Sequence, residues 1–303
     1  YKMWIDAEEK RSDYIPIEVH WSEIPGRDIE WKKETIRNTS ERQFAQEFET
    51  EFVGSTNTLI AGSKLRTLAF KTPIYSKKKL DVHEHPIEKH AYIMIVDTAR
   101  GQGLDYSAFT VIDATQVPYK VVAKYRNNEI SPMLYPNIIR ETAKHYSNAH
   151  VLIEVNDIGS QVADILHNDL EYENIMMMSW KGRAGQQLGG GFGKNTTLGV
   201  RTTKQVKRIG CSTLKNLVEE DKIIFNDYDI IYELTTFSQS KTSFEAEEGH
   251  NDDLVITLVI FSWLTQQRYF KELTNIDLRE KLYADKMKEI EQDLVPFGII
   301  SDG

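Results

Sequence analysis

The sequence predicts an α/β fold with a mixed sheet, and three observations predict it. Short β-rich runs at residues 92–96, 109–113 and 119–125 follow one another closely. A helical stretch over residues 132–146 then leads to a fourth β-run at 151–153. From there on, helical patterns dominate. Strands joined by short connections pair antiparallel, whereas a strand reached through a crossover helix lies parallel to its neighbour. Helices are then expected on the faces of the sheet.

Before the sheet, residues 1–60 hold Trp4, Trp21 and Trp31. Ser40 and Gln43 have capping-box spacing. Between Glu41 and Val53, Phe44, Phe48 and Phe52 fall four apart as one stripe of an amphipathic helix, which Gly54-Ser55 stops. Residues 65–89, with Pro73, Pro86 and Lys77-Lys78-Lys79, read as an irregular connector. His83, His85 and His90 have no cysteine beside them, so a solvated loop is expected there rather than a metal site.

The run at 92–96 is apolar throughout, the pattern of a buried strand. Thr115-Gln116-Val117-Pro118 separates the next two strands. The helix over 132–146 opens with a proline near its first turn, and a second helix is expected over 158–170. Residues 181–208 are glycine-rich and carry no acid; Lys181, Arg183, Lys194, Arg201, Lys204, Lys207 and Arg208 supply the charge. Helices at about 203–220 and 228–237, a short strand near 243–245 and a strong helix over 252–266 complete the pattern. The tail after Lys271 is highly charged.

Bulk properties narrow the classes. The chain has 303 residues, 40% hydrophobic and 27% charged, as in ordinary globular proteins. Its one cysteine, Cys211, allows no internal disulfide and no zinc-finger or iron–sulfur ligand set, which suits a reducing cytoplasm. No apolar run reaches membrane-spanning length, and the longest covers 254–264. Tyr1-Lys2-Met3-Trp4 is neither a cleavable leader nor a natural initiator, so the chain reads as part of a longer one. The net charge of −9 on its face argues against a nucleic-acid binder. Affinity for phosphates follows local patches, however, and the acid-free 181–208 stretch is one.

The acids fall where chemistry is expected. Asp97 ends the first strand and Glu154 the fourth, so parallel pairing would bring both to one sheet edge, where open α/β sheets bind ligands. Asp252 and Asp253 open the last strong helix and can reach that edge. Each acid alone reads as well as a turn residue or a first-turn helix acid. Together, in strand–strand–helix order, they point to a site. Three converging carboxylates need a counter-charge, and an all-oxygen set favours one or two Mg²⁺ or Mn²⁺ ions.

Three motifs carry a resemblance. Ile95-Val96-Asp97-Thr98-Ala99-Arg100-Gly101 with Asp105-Tyr106-Ser107-Ala108, then Leu152-Ile153-Glu154-Val155-Asn156, then Glu247-Glu248-Gly249-His250-Asn251-Asp252-Asp253-Leu254-Val255 resemble the nuclease motifs of large terminase subunits, the DNA-packaging motor proteins of contractile-tailed bacteriophages. The segments 169–173 and 210–215 match as well, and the likeness runs from about residue 30 to 265.

The resemblance implies an RNase H-like, Mg²⁺- or Mn²⁺-dependent endonuclease that cuts concatemeric double-stranded DNA when head filling starts and ends. It implies Asp97, Glu154 and Asp253 as the catalytic metal-binding triad, with Asp105 and Asp252 as further metal ligands and His250 as an auxiliary group. Arg100 departs from the pattern, since some relatives carry an acid there. Lys181, Arg183, Lys194, Arg201 and Lys204 are the expected DNA contacts; the alternative for this stretch is a flexible surface loop. Expected partners are double-stranded DNA, the portal protein of the prohead, the small terminase subunit and an ATPase domain of the same full-length chain, with no membrane. The expected location is the host bacterial cytoplasm, with transient docking on the prohead.

Packaging ATPase activity is expected only in a missing N-terminal part. The nearest approach to a P-loop, Leu188 to Asn195, fails at both ends. The expected organisation is an ATPase-domain remnant and hinge over 1–58, the nuclease domain over 59–270 and the charged tail over 271–303. Two alternatives stand beside this reading: a resolvase- or transposase-type nuclease on the same fold, and a non-catalytic portal-docking module.

Overall fold

In the computed structural model the described residues are 13–17, 19–39, 57–103, 105–180, 185–189 and 196–274, with Ala7, Phe44 and Phe48; for 271–273 only the backbone is described. The chain divides into two compact units, residues 1–57 and 58–303.

In the first unit Asp28 caps helix α1 (Ile29–Asn38), its Oδ1 accepting the Trp31 N–H at 2.8 Å. Trp21, Trp31, Phe44 and Phe48 form an aromatic cluster with neighbouring centroids 5.2–6.1 Å apart. The helix expected over 41–53 lies outside the described residues apart from Phe44 and Phe48.

The second unit begins with a helical turn at Gly62–Leu65. Strands β1 (Tyr75–Lys77), β2 (Leu80–Val82), β3 (Tyr92–Asp97), β4 (Ser107–Asp113) and β5 (Tyr119–Asn127) follow. Helix α2 (Tyr135–His145) crosses to β6 (His150–Ile153), and α3 (Gly159–Asp164) continues into a π-helical turn, Ile165–Asp169. Then come β7 (Met177–Trp180), β8 (Gln186–Gly189), β9 (Thr196–Leu198), α4 (Lys204–Glu219) and β10 (Ile223–Ile224). Last come α5 (Tyr228–Thr236), β11 (Phe237–Ser240), β12 (Ser243–Ala246), α6 (Asp253–Thr265) and α7 (Arg268–Thr274). The expected domain boundary after residue 270 falls inside α7.

The main sheet has the order β1-β2-β5-β4-β3-β6, with β10 beside β5. Antiparallel pairing joins β1 through β3 in that order, and β3 pairs with β6 in parallel. The expected mixed sheet is thus present, and the crossover through α2 supplies its parallel pair. Alternate residues of the strands feed two cores. Met94, Val96, Phe109, Tyr125, Tyr135 and Ile139 lie on the α2 side, and Ile93, Ile95, Leu214, Leu234, Leu258 and Phe261 on the side of α4, α5 and α6. Helix α6 is buried from Asp253 to Leu264 without a polar stripe, as a helix enclosed on every side must be.

Two segments depart from the sequence reading. Residues 65–89 are not only a connector: β1 and β2 extend the sheet edge, turning through Lys78 and Lys79 at φ 50° and 69°. A three-residue edge strand ending in Lys77 blunts the edge, and strands this short carry too little periodicity to be read. Nor is His83 solvated. Its Nε2 lies 3.1 Å from Asp227 Oδ2, and both side chains are only 5% exposed. His90 likewise pairs with Asp113 at 2.6 Å. The glycine-rich stretch contributes a small separate sheet, β8-β7-β9, and β11 and β12 form a hairpin.

Helices α4 and α6 touch at Gly210, where an added Cβ would stand 2.3 Å from the Val259 carbonyl oxygen. Gly210→Ala gains about 1 kcal/mol of helix propensity but forces two packed helices apart, at about 1–3 kcal/mol. Because the obstacle is backbone, the clash should win. Chemical denaturation is expected to show a lower midpoint at unchanged slope, and a raised midpoint would disprove this account of the α4–α6 contact.

Candidate metal centre

Asp97 is the last residue of β3, in register with Ala108 of β4, which is itself in register with Arg126 of β5. Glu154 follows β6 and prolongs the parallel ladder: its N–H donates to Val96 O at 2.8 Å. The two carboxylates therefore leave adjacent parallel strands at their carboxyl ends. Gly159 allows the tight turn into α3, since a Cβ there would meet the Glu154 carbonyl oxygen at 1.8 Å. Asp253 is the first residue of α6, whose N-terminus meets the same edge.

The three acids act on one another. Burial first, then the charges of Glu154 and Asp253, push the Asp97 carboxyl well above the ordinary carboxylate range, and a hydrogen bond to Glu154 adds to this. Burial likewise pushes Asp253 up to about 7, opposed chiefly by the positive charge of Arg126. One Glu154 oxygen accepts from Asn156 Nδ2 at 2.7 Å. Asp253 Oδ1 accepts the Tyr106 N–H at 3.3 Å, while Oδ2 is buried with no hydrogen-bond partner.

The other expected site residues separate. Asp252 accepts from the Ala246 N–H at 3.3 Å, and burial pushes its carboxyl up, opposed chiefly by Lys207. Asp105 is exposed, and its charge contributes to the upward shift of Asp253. His250 is exposed, with Nδ1 3.2 Å from the Tyr232 hydroxyl. Arg100 makes two hydrogen bonds to Asp157, at 2.7 and 2.5 Å, joining the loops that follow β3 and β6. Of the expected DNA contacts, Arg201 and Lys204 are exposed near the start of α4, whereas Lys181, Arg183 and Lys194 lie outside the described residues.

Sequence reasoning missed four groups around Asp253. Arg126 Nη2 lies 3.2 Å from Glu233 Oε1, and its guanidinium sits 3.9 Å from the Tyr106 ring centroid. Glu233 Oε2 accepts the N–H groups of Leu254 and Val255 at 2.9 and 3.0 Å. Tyr135, buried beneath the edge, donates to the Asp97 carbonyl oxygen at 3.4 Å. The signal available for Arg126 was alternation: Lys124 and Arg126 stand two apart in a β-rich run, so both face one side of the sheet.

Among the described residues, no group of three or more His, Cys, Asp or Glu side chains is arranged to hold a metal ion as it stands. The donor set nonetheless fits a hard divalent cation. It is all carboxylate oxygen, it crowds negative charge that burial penalises, and it includes one buried oxygen without a partner.

A profile of the terminase RNase H-like domain family matches residues 94–268, more than half of the chain. The chain belongs to this family. The match spans all three motifs and decides for terminase over the resolvase- or transposase-type alternative. Among solved structures, the chain is similar to the large terminase nuclease from thermophilic phage G20c with bound magnesium, at TM-score 0.53 and 19% identity, covering 71% of this chain and 100% of that one. The same nuclease with bound cobalt aligns at TM-score 0.52 and 21% identity, with the same coverage. At these identities the likeness concerns the fold, and the RNase H-like sheet expected from the motifs is the one observed.

The raised carboxyls set a pH dependence for the metal-free protein. Asp97 and Asp253 hold protons to higher pH when folded than when unfolded, as does Glu233, pushed up to about 8 by burial. Between about pH 4 and 8 the unfolded chain therefore releases protons first, and stability falls as pH rises. In chelator, Tm should drop from pH 5 to pH 8, and Asp253→Asn should raise Tm at pH 8. A Tm that climbs over this range would show the three carboxyls to be well solvated.

Proposed function

We propose that this chain is the metal-dependent endonuclease of a viral DNA-packaging terminase, acting on double-stranded DNA. The observation that supports this best is the convergence of Asp97, Glu154 and Asp253, from two parallel strands and one helix end, at the carboxyl edge of the family's sheet. Asp97, Glu154 and Asp253 would hold one or two divalent ions, with Mg²⁺ or Mn²⁺ suited to oxygen donors. The magnesium-bound nuclease to which the fold is similar is in keeping with that choice. When bound, such an ion supplies Lewis acidity toward a phosphodiester and the water that attacks it.

The chain's own groups prepare that site. Asn156 holds one Glu154 oxygen, and the Tyr106 N–H holds one Asp253 oxygen, which leaves the other buried without a hydrogen-bond partner. Asp105 adds negative charge at the rim, and Asp252 supports the start of α6 from the side of β12. Lys181, Arg183, Lys194, Arg201 and Lys204 neutralise DNA phosphates without reading sequence. Cutting concatemeric DNA at the start and end of head filling, in the host cytoplasm and on the prohead, follows from the terminase reading. So do the portal protein, the small subunit and an ATPase domain of the same full-length chain as partners. Residues 59–270 would then serve as the nuclease domain, 1–58 as the remnant of the ATPase domain and hinge, and 271–303 as the charged tail.

Plasmid cleavage with Mg²⁺ or Mn²⁺ tests the reading. Asp97→Asn, Glu154→Gln and Asp253→Asn should each lower the rate by about 10²- to 10³-fold, the scale of losing one preorganised electrostatic group, while Asp252→Asn loses less. An inert parent, or triad variants that still cut, would leave the non-catalytic docking module as the better reading.

DNA affinity should fall steeply with salt. Replacing Arg183, Lys194 and Arg201 together by Ala should reduce the slope of log K against log salt by about 2–3, near 0.9 per lost phosphate contact. An unchanged slope would return the stretch to a surface loop.

A further inference from the structure

The start of α6 is capped from elsewhere. An N-cap side chain ordinarily accepts the N–H groups of the second and third helical residues, but Asp252 makes no such bond. Glu233 of α5 does so instead, through Oε2 to Leu254 and Val255 at 2.9 and 3.0 Å. Its other oxygen lies 3.2 Å from Arg126 Nη2, and Glu233 is 1% exposed. The Arg126 guanidinium stacks on Tyr106, whose N–H holds Asp253 Oδ1. The contacts close a ring: Arg126 to Glu233, Glu233 to the two amides after Asp253, Asp253 to the Tyr106 N–H, and the Tyr106 ring back to Arg126. The Asp253 oxygen left outside the ring, Oδ2, is buried without a hydrogen-bond partner, as are Glu233 Oε1 and Arg126 Nε within it.

We propose that Arg126 and Glu233 are positioning residues that fix Asp253 so that its free carboxylate oxygen is presented to a divalent cation. This rests on the reading of the site as a cation centre. The ring removes two freedoms that would otherwise spoil the site. Glu233 stops the first turn of α6 from fraying, and its Oε1, 3.2 Å from Arg126 Nη2, keeps the guanidinium from swinging onto Asp253. Arg126 in turn supplies the positive charge that lets a third carboxylate stand beside Asp97 and Glu154. Lys124 sharpens the contrast. It occupies the same face of β5 two residues earlier and is paired instead with Asp81, Asp227 and Asp229. Groups that orient metal ligands from behind commonly control affinity by about 10- to 100-fold.

The test is Mn²⁺ binding to the whole chain by calorimetry, with folding checked by circular dichroism. Glu233→Gln, which keeps the shape and one acceptor, and Arg126→Gln should bind Mn²⁺ about 10- to 100-fold more weakly, and cleavage should need correspondingly more Mn²⁺. Arg126→Lys keeps the charge without the planar fork and should lie between them and the parent. The comparison is Thr257→Val, which removes the buried 2.9 Å contact between Thr110 and Thr257 one turn further along α6. It should lower Tm yet leave Mn²⁺ affinity at the parent value. Parent-like affinity in folded Glu233→Gln and Arg126→Gln would overturn the positioning role, as would an equal loss in Thr257→Val. Should Arg126→Gln not fold, Glu233→Gln and Arg126→Lys decide the matter. A parent that binds no Mn²⁺ would remove the cation centre along with the proposal, which separates failure of the reading from failure of the inference.

Discussion

Helix α6 imposes the constraint around which the second unit is arranged. Its residues from Leu254 to Leu264 are buried on every side, so it has one position, pressed between the sheet and α4 and α5. Its first residue is a carboxylate, and that position places the carboxylate at the edge where β3 and β6 end. Burying apolar surface at about 25 cal/mol per Å² supplies the drive. Gly210 permits the closest approach of α4, and Glu233 satisfies two amides that burial would otherwise leave unpaired. The placement of Asp253 is thus a consequence of core packing rather than of local loop preference.

The parallel pair β3–β6 does the equivalent for the other two acids. A parallel register fixes the ends of adjacent strands side by side, and the ladder continues one residue past β6 through the Glu154 N–H. Asp97 and Glu154 therefore cannot separate without unzipping the sheet. Crowding of this kind is unfavourable for the bare protein, as the upward shift of Asp97 records. The row that contains Asp97 also ends in Arg126, one strand beyond Ala108, so the compensating cation comes from the same sheet. Removing one member of a buried pair such as Arg126–Glu233 strands the other, typically at about 3–5 kcal/mol, which is why Glu233→Gln and Arg126→Lys, which keep shape or charge, are the informative replacements.

Much of this was legible in the sequence, for reasons that differ by residue. The runs at 92–96 and 151–153 are apolar because their strands are buried on both faces, and acids directly after such runs stand out. The helix beginning at Asp253 was legible because no charged residue interrupts it after its first position. The hairpin of β1 and β2 was not, since three-residue strands at a lysine-rich edge carry almost no periodicity. Glu233 and Arg126 were invisible for another reason: one looks like an ordinary helical acid and the other like an ordinary strand cation, and they meet across 107 residues of sequence. His83 and Asp227 pair across a still longer interval, 144 residues. Contact between distant charges leaves no local pattern, and the parts of the site that were missed are of this kind.

On the proposed reading, the unfavourable charge at the site and its function are one property. A site whose carboxylates were each fully satisfied by the protein would have no oxygen left to offer. Here the protein satisfies one oxygen of Asp253 and one of Glu154, and Arg126 offsets part of the negative charge. Anything that binds the folded chain alone stabilises it by mass action, about 2.7 kcal/mol at a hundred times its dissociation constant. A divalent ion would then repay the electrostatic cost where it arises. The stiff frame of α6, β3 and β6 confines that cost to the charges, since neither the sheet ladder nor the buried helix can relax to relieve it.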